Sequence, residues 1–210
     1  MNRSIYSLVL MDSLVLEIDR LAAEMSTSRS NMTNQILAEY LSLVTPERRI
    51  QNIFVRAESV FSKSSDLFVA VNPSERAMSI KSVLNFKYKP TVRYSVVLYN
   101  VRSDAFGELR VAFRTQNHEL LDILTAFFIQ WTNVEKKFRK SSVNNTDISP
   151  GKLIRVLTLP ANCELSDEAL GEATARYVSF FDKTMKAFFI KPHDFTSEYA
   201  RYLAREPFPI

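Results

Sequence analysis

Two hydrophobic rhythms succeed one another over residues 5–44. In IYSLVL, Tyr6, Leu8 and Leu10 alternate with Ile5, Ser7 and Val9, and Arg3 continues the second set. That is the period of two that a strand imposes on its side chains. From Leu14 the period lengthens: Leu14, Val15, Ile18, Leu21, Ala22 and Met25 recur at helical spacing, with Glu17, Asp19, Arg20 and Glu24 on the other side. Asp12 or Ser13 is placed to cap this helix. Ser26 and Thr27 interrupt it, Ser28 caps the next, and Met32, Ile36, Leu37, Tyr40, Leu41 and Val44 mark a second stripe that stops at Pro46. The predicted order is strand, helix, helix. A lone strand followed directly by helices cannot meet its backbone donors and acceptors within its own chain, whereas an antiparallel second copy meets them. The pattern therefore predicts a dimer.

Downstream the pattern is that of an α+β domain. Residues 49–62 read as a helix through Ile50, Ile53, Phe54, Ala57, Val60 and Phe61, placed to prolong the dimer past Pro46. SIKSVLNFKYK, VRYSVVLY and ELRVAFRT alternate as strands. Residues 117–140 form a long amphipathic helix, SSVNNTDISPG a loop, LIRVLTLP a further strand, and residues 166–189 a last long helix, with a short helix expected in the tail from Pro192. Sequential strands favour an antiparallel meander with helices on one face. Adjacent Phe180 and Phe181 point in different directions on their helix, which predicts a helix covered on two sides. The boundary is expected near residues 45–48, giving a dimerisation module over 1–47 and an α+β domain with an antiparallel sheet and long amphipathic helices over 48–210.

The run IDRLAAEMSTSRSNMTNQILAEYL resembles the helix-turn-helix part of the CopG, Arc and MetJ class of ribbon-helix-helix repressors, in which an L-A-x-E-x-x-x-S-R/K-S stretch joins the helices. The resemblance covers residues 3–45; the remainder resembles only uncharacterised bacterial proteins. It implies a bacterial DNA-binding homodimer, or a higher oligomer, that regulates transcription. Two paired strands would enter the major groove of double-stranded DNA while the amino end of each second helix grips phosphate. Carried over by position, Arg3, Ile5, Ser7 and Val9 face the bases, and Ser28, Arg29 and Ser30 hold phosphate. The chain departs from the family at the ribbon: Ile5 and Val9 offer base edges no hydrogen bond, only contact with thymine methyls, leaving Arg3 and Ser7 to discriminate. It also lacks the glycine usual at the turn, so Ser26 must take the left-handed conformation.

Charge shifts attention down the chain. The whole sequence carries +4, yet residues 1–50 hold five arginines against six acidic residues, a balance of −1. Between Arg76 and Thr115, eight basic residues against Asp104 and Glu108 give +6. Lys81, Lys87, Lys89, Arg93, Arg110 and Arg114 fall in the strand-like segments beside Phe86, Tyr88, Tyr94 and Phe113. Such interleaving describes a single-strand nucleic-acid platform; charges at alternate strand positions are more commonly the solvated face of a sheet whose aromatics form the core.

Little in the chain points to catalysis, a metal or a cofactor. His118 and His193 belong to no ligand-spaced cluster, and His118 beside Glu119 reads as a polar residue at a helix start. The single cysteine, Cys163, excludes an internal disulfide framework, and Gly107, Gly151 and Gly171 make no phosphate-cradling loop. Asp167 and Glu168 read as helix-start charges. No segment has the apolar length of a membrane span, and Asp12 interrupts the leader-like SLVLM, so a cytoplasmic protein is expected. Phe127, Phe128, Trp131, Phe180, Phe181, Phe188 and Phe189 either line an effector pocket or form core, and no effector is assigned. Three readings follow: a DNA-binding regulator; a module used for dimerisation alone, with the carboxyl-terminal domain binding a protein or single-stranded nucleic acid; and an antitoxin-like protein whose carboxyl-terminal part covers a toxin.

Overall fold

The computed structural model describes residues 5–69, 76–84, 89–99, 105–139, 146–159, 163, 165–208 and 210. Residues up to Arg49 and from Ile50 onward form two compact units, a division slightly beyond the expected residues 45–48.

The first unit contains α1 (Asp12–Glu24) and α2 (Arg29–Tyr40). Ile18, Ala22 and Met32 are buried between them, with Leu21 packed alongside. Ser28 caps α2 as expected, its hydroxyl accepting from the Asn31 amide at 3.3 Å. The start of α1 differs from expectation: neither Asp12 nor Ser13 caps it, the helix beginning one residue earlier from Met11, whose carbonyl accepts from Leu14 and Val15. Both helices end alike. Ser26 (φ 50°) donates to Ala23 and Thr27 to Ala22; Ser42 (φ 54°) donates to Glu39 and Leu43 to Ala38. Each is a left-handed helix stop built on serine in place of glycine. The expected strand is not formed in the single chain. Residues 5–11 precede α1 without ladder pairing and are exposed on both sides of the alternation, because a strand exists only against a partner and one chain supplies none. Arg3 lies outside the described residues.

Helix α3 (Pro46–Phe61) opens with Thr45, whose hydroxyl accepts from the Arg48 amide at 3.1 Å, and with proline at the first helical position, where no amide is needed. The second unit is α+β, as the sequence predicts. Its sheet comprises β1 (Leu67–Val69), β2 (Ala77–Val83), β3 (Thr91–Leu98), β4 (Ala105–Phe113), β5 (Thr146–Ser149) and β6 (Lys152–Thr158) in the antiparallel order β1-β2-β3-β4-β6-β5. Four strands make the expected meander. Two strands had not been expected. β1 is only three residues long, and β5 lies within the segment read as a loop, paired with β6 through a turn in which Gly151 takes φ 68°.

Helices α4 (His118–Phe138) and α5 (Asp167–Ile190) cover one face of the sheet, capped by Asn117 and Ser166 respectively. Phe128 of α4 packs on Phe113, and Phe181 of α5 meets Tyr94 edge-on. α3 crosses α5 at Gly171, where a Cβ would sit 2.5 Å from the Ile53 carbonyl oxygen. α6 (Thr196–Arg205) closes the far side, Tyr199 packing on Trp131 and Tyr202 stacking on Phe180. α5 is thus covered on more than one side, as the paired phenylalanines indicate.

One polar cluster lies inside this core. Arg155 Nε donates to Glu135 at 2.9 Å and Arg155 Nη2 to the Ile210 carbonyl at 3.1 Å; Tyr177 and Tyr199 donate to the other oxygen of Glu135 at 2.9 and 3.3 Å. The guanidinium lies 4.5 Å from the Tyr177 ring centroid. Burial opposes the charge on Arg155, but Glu135 outweighs it and holds the guanidinium above its ordinary pKa; burial pushes the Tyr177 and Tyr199 hydroxyls up.

Candidate nucleic-acid interface

The sequence nominates two surfaces, one in each unit. In the first, Ser28, Arg29 and Ser30 lie together and exposed at the amino end of α2. The serine hydroxyl takes the Asn31 amide, while the amides of Arg29 and Ser30, first in the helix, have no preceding turn to bond to. They therefore present positive partial charge. Arg29 itself is engaged: its Nε and Nη2 donate to the two carboxylate oxygens of Asp19 at 2.6 and 2.5 Å. The hydrogen bond from Arg29 holds the Asp19 carboxyl below its usual range, and Asp19 in turn raises Arg29. The sequence reading treats Asp19 only as a surface charge of α1. Its partner lies ten positions away across the turn, so no local motif points to it.

The ribbon residues Ile5, Ser7 and Val9 are exposed, with Ile5 and Val9 fully so. Their apolar counterparts are exposed too: Tyr6, Leu8 and Leu10, then Leu14, Met25, Leu37, Tyr40, Leu41 and Val44 along the helices. Among the described residues of this unit three hydrophobic residues are buried against this much open apolar surface, more than a solvated surface usually shows.

In the second unit, pairing registers place Phe68, Lys81, Arg93, Ala112, Lys152 and Ser149 in one row across all six strands. Lys81, Arg93 and Lys152 are exposed, and among the described residues none makes an ion pair or side-chain hydrogen bond. The adjacent row contains Ser79, Ser95, Arg110, Ile154 and Asp147. Arg110 is paired with Glu108, which also accepts from Tyr99 at 3.2 Å. Lys89 and Arg114 are exposed at strand ends, and Lys87, Phe86 and Tyr88 lie outside the described residues.

Among the described residues the aromatic interleaving does not form: Tyr94 and Phe113 are buried on the helix-covered face. Lys152 is the cation that sequence reading missed, since the strand was read as starting one residue later.

The aromatic residues of α4 and α5 make a packed core. Trp131 lies between Phe127, Phe181, Phe195 and Tyr199 at centroid distances of 4.6–5.7 Å. A cleft of about 230 Å³ elsewhere is lined by Asp66, Phe68, Val83 and Lys186, smaller than a typical small-molecule site. Among the described residues no group of three or more His, Cys, Asp or Glu is placed to hold a metal, and no helix is long and apolar enough to cross a membrane. Comparison with family models, with curated proteins and with solved structures found no match to this chain.

Proposed function

We propose that the chain is a dimeric DNA-binding protein and transcriptional regulator, in which residues 5–10 of two copies pair as an antiparallel ribbon. The ribbon enters the major groove with Ile5, Ser7 and Val9 outward, and the α2 amino ends, with Ser28, Arg29 and Ser30, take flanking phosphates. The observation that carries this reading is the apolar surface left open on the first unit, which a second copy covers while supplying the ladder that residues 5–10 lack.

Sedimentation of the full chain, with duplex titrations across a salt series, tests it. A dimer is expected, with affinity that falls as salt rises. Arg29→Ala weakens binding to all sequences alike, and Ser7→Ala changes preference between sequences. A monomer, or a dimer with absent or salt-insensitive duplex binding, overturns the reading. The second reading, a module for dimerisation alone, draws support from the Arg29–Asp19 pair, which occupies the cation best placed for phosphate.

A further inference from the structure

The amino-terminal module has a net charge of −1 over residues 1–50, and its phosphate-facing arginine is neutralised by Asp19. Affinity for a polyanion comes from cations free to replace its counterions, and the free cations described above sit on the sheet. We propose that the uncovered face of the β-sheet is a second, sequence-independent contact surface for the phosphodiester backbone of duplex DNA, built by Lys81, Arg93 and Lys152. This inference shares with the preceding reading the premise that the chain binds duplex DNA.

The geometry supports it in three ways. Register places the three cations in a single row: Lys81 and Arg93 on adjacent strands, Arg93 and Lys152 two strands apart, so about 5 and 10 Å separate their backbone positions. The floor between them is small. Ala112 stands between Arg93 and Lys152, Thr91 lies two residues from Arg93 along β3, and Ser79 and Ser95 fill the neighbouring row, leaving room for the long side chains to lean onto a ligand. Among the described residues the acids on this face are Glu108, engaged by Arg110 and Tyr99, and Asp147 at the β5 edge. None of the three cations is ion-paired among the described residues.

Among the described residues, the scarcity of stacking groups on this face selects among polyanions. A single strand is held by aromatic rings under its bases, and here Tyr94 and Phe113 point to the core, leaving among the described residues Phe68 at the sheet edge and Tyr99, whose hydroxyl is held by Glu108. A duplex hides its bases and offers about one charge per 1.7 Å of axis, asking only for cations.

The test uses the full chain and a random-sequence duplex titrated between 50 and 200 mM salt. The variant Lys81→Gln/Arg93→Gln/Lys152→Gln removes three exposed charges without touching the core. The control Lys63→Gln/Lys136→Gln/Lys183→Gln removes as many from exposed helical and loop positions. The sheet variant is expected to flatten the slope of log affinity against log salt by about 2.7 per face engaged, near 0.9 for each lost phosphate contact. The control keeps the wild-type slope.

An equal change in both variants, or none in the sheet variant, overturns the inference and leaves the ribbon reading standing. The expected sheet effect alongside Arg29→Ala and Ser7→Ala chains that bind like wild type supports the inference and removes the ribbon reading. A wild-type chain that binds no duplex at any salt overturns both. Binding of polyglutamate in place of duplex, lost in the sheet variant, assigns the face to an acidic protein and also overturns it.

Discussion

Asp19 holds Arg29 through two parallel charge-assisted bonds, so a phosphate reaching the α2 amino end must first draw the guanidinium away from a carboxylate. The Asp19→Asn variant removes that competitor. Its expected effect is tighter binding to duplexes of any sequence, because phosphate no longer has to displace a carboxylate from the guanidinium. The pair also links folding to pH. Because Arg29 holds the Asp19 carboxyl below its unfolded value, the pair stabilises the unit above that unfolded value, and the contribution disappears as pH falls through the lower folded one. Acid titration of thermal midpoints therefore shows a component in wild type that Asp19→Asn lacks.

Helix ends are the elements in which the first unit departs most from ordinary usage. α1 and α2 both stop on a left-handed serine, Ser26 and Ser42. Ser26→Gly and Ser42→Gly each remove a steric penalty of roughly 1 kcal/mol, less what glycine loses in chain entropy. A rise in thermal midpoint for both, largest in the double variant, is the expected outcome. The left-handed Ser26 is the position that the resemblance to ribbon-helix-helix turns, where a glycine is usual, implies. The Ser28 cap is legible beside its periodic run, whereas Asn117 and Ser166, read as the first residues of their helices, turn out to cap them.

What sequence reading loses is information carried by partners distant along the chain. β1 and β5 are too short to alternate visibly and exist because a neighbouring strand pairs with them. The Arg29–Asp19 pair is likewise invisible to local motifs. For the described residues, the favoured reading of a solvated charged face over an aromatic core holds, and the aromatic platform does not. Tyr94 is one residue from Arg93, and Phe113 three from Arg110, so odd separations in a strand of period two already put them on opposite faces. Parity is what makes the solvated-face reading the stronger one.

Across the whole molecule the two units rest on different physics. The first has a three-residue core and an apolar exterior, whereas the second encloses a large aromatic core around a charged pair. That pair fixes the consequences of mutation. Arg155→Met leaves Glu135 buried without its counter-ion and is expected to cost about 3–5 kcal/mol in urea unfolding. Arg155→Met/Glu135→Met, with both charges gone, recovers most of that loss. A double variant no more stable than the single one would show that the tyrosine hydroxyls, rather than the charge, decide the stability of the cluster.

The borders of the sheet have a bearing on how copies meet. β1 and β5, at three and four residues, leave the two margins with hardly any free ladder. Strand-to-strand growth into filaments has no template there. Under the proposed ribbon, pairing of copies is left to the amino-terminal segments, which favours closed pairs over open-ended polymers.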